Sequence, residues 1–187
     1  MEWMIIDKVK QVRKGDQAAF EAIVSFFQHK IYQHCYRMLG NVHEAEDVAQ
    51  EVFIRAYINI DSYDEKWKFS TWLYRIATNL SIDRLRKRKP DYYLDAEIKG
   101  TQGLTMYSHV QADYRLPEEE VEGLEIQRYI HKEIYALPPK YRAIIILRYL
   151  EEFPLKEISE ILNMPIGTVK TRIHRGREAL RKKLRHV

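Results

Sequence analysis

The residues of this sequence best suited to chemistry are cations and aromatic rings set at helical spacing. Lys170, Thr171, His174, Arg175, Arg177 and Arg181 lie opposite an apolar stripe of Val169, Ile173, Gly176, Leu180 and Leu184. Spacings of three and four put each set on its own helix face. Cations on such a face suit phosphates, and side chains near the helix N-terminus can reach base edges. A second group runs Arg75, Arg84, Arg86, Lys87, Arg88 and Lys89, interleaved with Phe69, Trp72 and Tyr74 and preceded by Tyr63, Lys66, Trp67 and Lys68. Cations that follow a backbone beside rings that stack unpaired bases are the chemistry of single-strand binding. A cationic helix C-terminus beside a core tryptophan explains the same residues. A third group has the opposite sign: Glu44, Glu46, Asp47, Gln50 and Glu51 suit a protein docking surface or a solvated face, not a phosphate backbone.

Catalytic patterns are missing from the sequence. There is no glycine-rich phosphate loop, nucleophile elbow, HExxH or CxxC. His29, His34 and Cys35 lie close together, but their separations do not give the paired histidines of a helical zinc site. A core thiol and two surface imidazoles is the expected arrangement. The sequence therefore implies no metal, no cofactor, no small-molecule substrate and no enzyme activity.

Several elements must position these groups. The chain has 187 residues and a formal net charge of +4, enough for one medium domain or two small ones. Its single cysteine excludes an internal disulfide and fits a reducing compartment. No apolar run approaches a membrane span, and the start is too short in apolar residues for a signal peptide, so a cytoplasmic protein is expected. The charge is unevenly spread: +3 over residues 1–90, −7 over 91–125 and +8 over 126–187. Two basic blocks around an acidic middle suit two polyanion-binding modules joined by a different segment, or simply solvated helix faces.

The hydrophobic period is helical almost throughout. After the candidate cap Asp16, Phe20, Ile23, Val24, Phe27, Ile31, Cys35, Met38 and Leu39 share one face until Gly40-Asn41 ends the run. A second helix buries Ala45, Val48, Ala49, Val52, Phe53, Ala56 and Ile60. A third begins near Ser70 or Thr71, buries Leu73, Ile76, Ala77 and Leu80, and stops before Pro90. Residues 93–122 lose the pattern and read as an acidic linker, partly mobile. Helical spacing resumes at Leu124, pauses at Pro138-Pro139 and continues through Leu147. Then Leu155, Ile158, Ile161 and Leu162 form a short helix, and the turn Asn163–Gly167 leads into the basic one. Proline suits the helix start, and Gly167 is expected to allow a tight approach. Two short helices, a turn and a basic outer face describe a helix-turn-helix, whose second helix enters the major groove. A helical hairpin with a solvated basic face is the alternative. The expected fold is all-α: two small helical domains, 1–92 and 123–187, joined by the linker 93–122, with the helix-turn-helix in the second.

Three segments in this order, AEDVAQEVFIRAY, KFSTWLYRIATNLSIDRLRKRK and IGTVKTRIHRGREALRKKL, resemble bacterial RNA polymerase sigma factors of the extracytoplasmic-function group. The resemblance covers residues 5 to 187, and the central DYYLDAEIKGTQGLTMYS is similar to the sigma-W type of Gram-positive bacteria. It implies that Asp47, Gln50 and Glu51 grip the clamp helices of the polymerase β′ subunit. It implies that Tyr63 and Asn79 read the −10 element on an opened strand, within a surface that includes Trp67, Lys68, Trp72, Arg75 and Arg84. Taking a base out of the stack costs a few kcal/mol and selects easily opened sequences. It also implies that Lys170, Thr171, His174 and Arg175, with Arg177, face the −35 duplex. The family's usual arginine is Lys170 here, which lacks a bidentate fork for guanine. Where the housekeeping factor has a tandem tryptophan for melting, this chain has Arg75 and Ile76, which implies stringent promoters. Trp67 in the preceding loop compensates or is simply exposed. The resemblance further implies a membrane-anchored anti-sigma partner and stress-linked control. A stand-alone helix-turn-helix regulator, with a helical sensor or dimerisation domain, is the rival reading and predicts DNA binding without polymerase.

Overall fold

The computed structural model describes residues 2–88 and 124–184, with side chains from residue 127 in the second stretch. The expected linker 93–122, together with Lys89 and Pro90, lies outside the described residues. All regular structure among the described residues is helical: α1 Glu2–Arg13, α2 Gln17–Leu39, α3 Val42–Ile58, α4 Phe69–Arg88, α5 Leu124–Tyr135, α6 Pro139–Ile145, α7 Leu155–Leu162 and α8 Ile166–Leu184.

Local signals set most of the helix ends. The Asp16 carboxylate accepts from the Ala19 N–H to start α2, and Gly40, at φ 65°, closes it in the left-handed conformation. Asn41 then caps α3 by accepting from the Glu44 N–H. One end is set at long range. Helix α4 begins at Phe69, earlier than the sequence suggests, because Glu2 reaches across from α1 to accept the Phe69 N–H at 2.9 Å. Helix α1 itself adds to the sequence reading: Ile5, Val9 and Val12 are its buried stripe, and Arg13 donates to the Ile60 and Tyr63 carbonyls. That arginine braces the loop between α3 and α4.

The first four helices enclose Val9, Ile23, Ile31, Met38, Val52, Phe69 and Leu73. The later ones enclose Ile144, Ile146, Leu147, Ile158, Ile161 and Val169. Each such side chain contributes about 1.5–3 kcal/mol when removed from water. Helix α6 does not simply continue through Leu147. It widens into a π-helical turn, Ile146–Leu150, and the chain reverses through Glu152 at φ 57°.

The two groups of helices pack on each other through polar and aromatic contacts. Arg142 on α6 is 1% exposed and donates to the Met38 carbonyl at the end of α2, as well as to the Tyr135 and Leu137 carbonyls. Tyr135 and Arg88 both donate to the Leu39 carbonyl. Phe153 sets its ring edge-on to Tyr74 of α4, with centroids 4.8 Å apart. Beside it, His34 is fully buried, with its Nε2 2.9 Å from the Thr78 hydroxyl. The expectation of a surface imidazole at His34 is therefore corrected, while Cys35 is the core thiol expected, its pKa raised to about 12 by burial.

Candidate nucleic-acid interface

Helix α8 presents the basic face its sequence suggests. Lys170, Thr171, His174, Arg175 and Arg177 are all exposed, while Val169, Gly176 and Ala179 are buried. Thr171 donates its hydroxyl to the Gly167 carbonyl one turn back, which fixes its rotamer at the exposed surface. The turn before α8 works differently from the expectation. Asn163, at φ 49°, supplies the left-handed residue, and Gly167 sits inside the helix with no atom near a would-be Cβ. The glycine that permits close approach is Gly176, where a Cβ would lie 3.2 Å from Ile145. It lets α8 settle on α6 and so aims the basic face outward.

Helix α4 and the loop before it form a second surface. Trp67, Trp72, Arg75, Ile76 and Asn79 line a cavity of about 340 Å³ together with Ser62, Asp64 and Glu160. Asn79 is exposed, and Trp67, Trp72, Arg75 and Arg84 are half-buried. The other aromatic residues singled out from the sequence are not available for stacking. Phe69 and Tyr74 are core residues, and Tyr63 is 3% exposed, its hydroxyl donating to the Trp67 carbonyl at 2.7 Å. The Tyr63 ring packs on Phe69 and Trp72, with centroids 5.2 and 5.5 Å away. Burial, then the charges of Glu2 and Glu65, push its pKa up to about 12. Tyr63 thus holds the wall of the cavity in place rather than offering a face to a base.

Carboxylates from the C-terminal helices sit on this same surface, which sequence spacing did not anticipate. Glu157 accepts from Lys68 and from the Thr71 hydroxyl, each at 2.8 Å, and Glu160 pairs with Arg75 at 2.9 Å. The hydrogen bond to Glu157 is the main reason the Lys68 pKa is raised. Glu151 accepts from Arg37 at 2.6 Å and from the Tyr74 hydroxyl at 2.9 Å, with His34 Nδ1 3.8 Å away. Burial opposes the Glu151 charge, but His34, Arg37 and Tyr74 together hold its pKa below the usual range.

The acidic side of α3 forms a ridge between two grooves. Asp47, Glu46 and Gln50 are exposed, Glu51 pairs with Arg55 at 2.7 Å, and Glu44 pairs with Arg88. On one side, Asp47, Val48, Glu51, Leu80 and Arg84 line a cleft of about 820 Å³. On the other, Val24, Tyr32, Glu46, Gln50 and Phe53 line one of about 410 Å³. The smaller groove, an apolar floor with a charged rim, suits a helix of a protein partner. The larger is lined mainly by charged side chains, with Arg55, Asp83, Arg86, Lys87 and Arg88 completing it. Among the described residues no group of His, Cys, Asp and Glu is arranged to hold a metal ion, and no helix is long and apolar enough to cross a membrane.

Comparison with known proteins matches the chain to a family. Residues 23–90 match the family described as Sigma-70 region 2, and residues 127–180 match Sigma-70, region 4. The chain is 68% identical over 187 residues to the ECF RNA polymerase sigma factor SigW of Bacillus subtilis (strain 168), covering 100% of both. It is 37% identical over 180 residues to the RNA polymerase sigma-H factor of Pseudomonas aeruginosa, covering 94% of this chain and 91% of that one. Its fold is similar to CnrH, solved in complex with the cytosolic domain of CnrY, with TM-score 0.67, 22% identity and 95% and 94% of the two chains covered. It is also similar to the sigma factor RpoE of Bartonella quintana, solved with the anti-sigma factor NepR, with TM-score 0.64, 20% identity and 88% and 96% covered. Region 2 in addition to region 4 displaces the reading as a stand-alone regulator, and the chain belongs to the extracytoplasmic-function group of RNA polymerase sigma factors.

Proposed function

We propose that this sigma factor divides promoter recognition among three surfaces. Helix α3 docks on core RNA polymerase through Asp47, Gln50 and Glu51, which are wholly or partly exposed on a ridge flanked by two clefts. The clamp helices of the β′ subunit are the partner that fits such a ridge. Helix α8 reads the −35 duplex with Lys170, Thr171, His174 and Arg175, and Arg177 meets phosphate. The cavity beside α4 takes an unstacked base of the −10 strand, with Trp67, Trp72 and Asn79 around the base and Lys68 and Arg75 along the backbone. Arg84 lies farther along α4, on the wall of the larger cleft, and meets the strand beyond the cavity. Tyr63 supports that cavity from behind, through its contacts with Trp72 and the Trp67 carbonyl.

The observation that carries this reading is the separation of chemistries on one chain. An exposed acidic ridge, a cavity edged by two tryptophans, Asn79 and Arg75, and an exposed basic helix each fit a different partner. Residues 1–92 and 123–187 act as the two binding units, joined by the acidic segment between them. The chain performs no catalysis; the polymerase supplies it. An anti-sigma factor, membrane-anchored and opposing both units, holds the protein inactive in the cytoplasm. The relatives of similar fold solved with CnrY and NepR support an inhibitor of this kind.

Docking is tested by binding fluorescently labelled core polymerase to the chain carrying Asp47→Lys. Asp47 is exposed, so the variant keeps its fold, and affinity is expected to fall at least tenfold. An unchanged affinity overturns the assignment of α3.

A further inference from the structure

The C-terminal segment is strongly basic, yet four of its six acidic residues, Glu151, Glu152, Glu157 and Glu160, fall within ten positions. Three of these four lie against the cationic face of the N-terminal helices. Glu157 meets Lys68 and Thr71, Glu160 meets Arg75 inside the cavity that also holds Trp67, Trp72 and Asn79, and Glu151 meets Arg37. A phosphodiester offers the same chemistry, anionic oxygens that accept from lysine, arginine and hydroxyl donors.

We propose that this acidic edge is an internal occupant of the strand-binding face, holding the free chain closed against opened DNA until the strand displaces it. The inference rests on the strand-binding reading of α4. Two features separate such an occupant from an ordinary packing contact. First, it covers selectively: Lys170, Thr171, His174 and Arg175 on α8 and Asp47 and Gln50 on α3 are exposed while the carboxylates sit on α4. The closed chain therefore keeps its duplex-reading and polymerase-docking faces accessible and engages only the donors Lys68, Thr71 and Arg75 of the face for single strand. Second, its ion pairs are reversible. The side chains of Arg75 and Glu160 are 39% and 32% exposed, and that of Lys68 is 57% exposed, so water and salt compete for them. The Glu157 side chain is only 12% exposed and is bonded by Thr71 as well as Lys68. It is the anchor of the closed state. Placing carboxylates rather than apolar residues on this face keeps it soluble when open.

The test uses the full chain and a fluorescein-labelled single-stranded DNA of randomised sequence, about 12 nucleotides long. If only a fraction of the free chain is open, apparent affinity is reduced by that fraction. Glu157→Gln with Glu160→Gln is expected to tighten binding about fivefold, through loss of pairs worth of order a factor of a few each. The control is Glu152→Gln with Glu178→Gln, which changes net charge equally but removes no contact to α4; it is expected to leave affinity within about twofold. Equal tightening by both double variants, or none by the first, overturns the proposal. Arg75→Ala added to the first pair distinguishes the underlying reading: it should abolish the gain, and an undiminished gain means that α4 is not the strand site.

A second measurement needs no variant. Carbodiimide joins contacting amines and carboxylates without a spacer, so Lys68 and Glu157 should cross-link in the free wild-type chain. Saturating single strand is expected to lower the yield about fivefold, in line with the population shift. An unchanged yield in DNA-saturated protein overturns the competition, even if the double variant fails to fold.

Discussion

Replacing Glu151 by Gln should loosen the chain at the point where its two groups of helices meet. The Glu151 side chain is 11% exposed and accepts two bonds, from Arg37 at 2.6 Å and from Tyr74 at 2.9 Å. Bonds to a charged group are worth about 1.5–3 kcal/mol, against roughly 1 for neutral pairs. Glutamine keeps one acceptor oxygen, so one bond becomes neutral and the other is lost. One gain offsets part of that loss: Arg37 is 27% exposed and can recruit water. The net cost is about 2 kcal/mol, close to thirtyfold in an equilibrium constant. All three tryptophans, Trp3, Trp67 and Trp72, lie within residues 2–88, whereas circular dichroism reports every helix. Urea unfolding followed both ways should show the midpoint fall by about 1 M, given a slope near 2 kcal/mol per M. The tryptophan signal should move although residue 151 belongs to the other group of helices. The sign with pH follows from the lowered carboxyl pKa of Glu151. Its contribution is complete above the usual value of 4.5 and is lost as pH falls through the lower folded-state value. The gap between wild type and variant should therefore close as the solution is acidified below that range. A tryptophan-detected midpoint that does not move at neutral pH, or a gap that persists into strong acid, would refute the reasoning.

Three other substitutions probe different parts of the account. Arg142→Met leaves the Met38, Tyr135 and Leu137 carbonyls without their buried donor, and should cost about 3 kcal/mol in denaturant unfolding by either probe. Gly176→Leu forces a side chain into Ile145, 3.2 Å from the first added carbon. Overpacking of about 1–3 kcal/mol outweighs the helix propensity gained, so thermal melting should drop by about 5 °C. Arg175→Ala should weaken transcription most at promoters altered in the −35 element; equal loss on every template would make Arg175 a phosphate contact.

Which features were legible in the sequence follows from how local their causes are. Asp16, Gly40 and Asn41 fix the ends of α2 and the start of α3 through neighbours within four residues, so spacing and residue type sufficed. The basic face of α8 was legible for the same reason. The start of α4 depends on Glu2, and the burial of His34 depends on Thr78, Tyr74 and Glu151, all far along the chain. Tyr63 looked like a stacking ring because its loop is polar, but Phe69 and Trp72 enclose it. Helix α1 carried a detectable signal in Ile5, Val9 and Val12. Gly167 and Gly176 exchanged roles because a close approach depends on which helix lies opposite, and only the packing of α6 reveals that. The carboxylates on the α4 surface left no mark in helical periodicity, although their crowding into residues 151–160 is plain in the sequence.

Run-off transcription most directly tests the claim that this chain confers promoter choice on polymerase. Core enzyme is incubated with a library of promoter sequences, with and without the protein, and the transcripts are sequenced. The account predicts transcripts only when the protein is present, from templates sharing one −35 and one −10 element. Transcripts independent of the protein, or equally drawn from all templates, would contradict it.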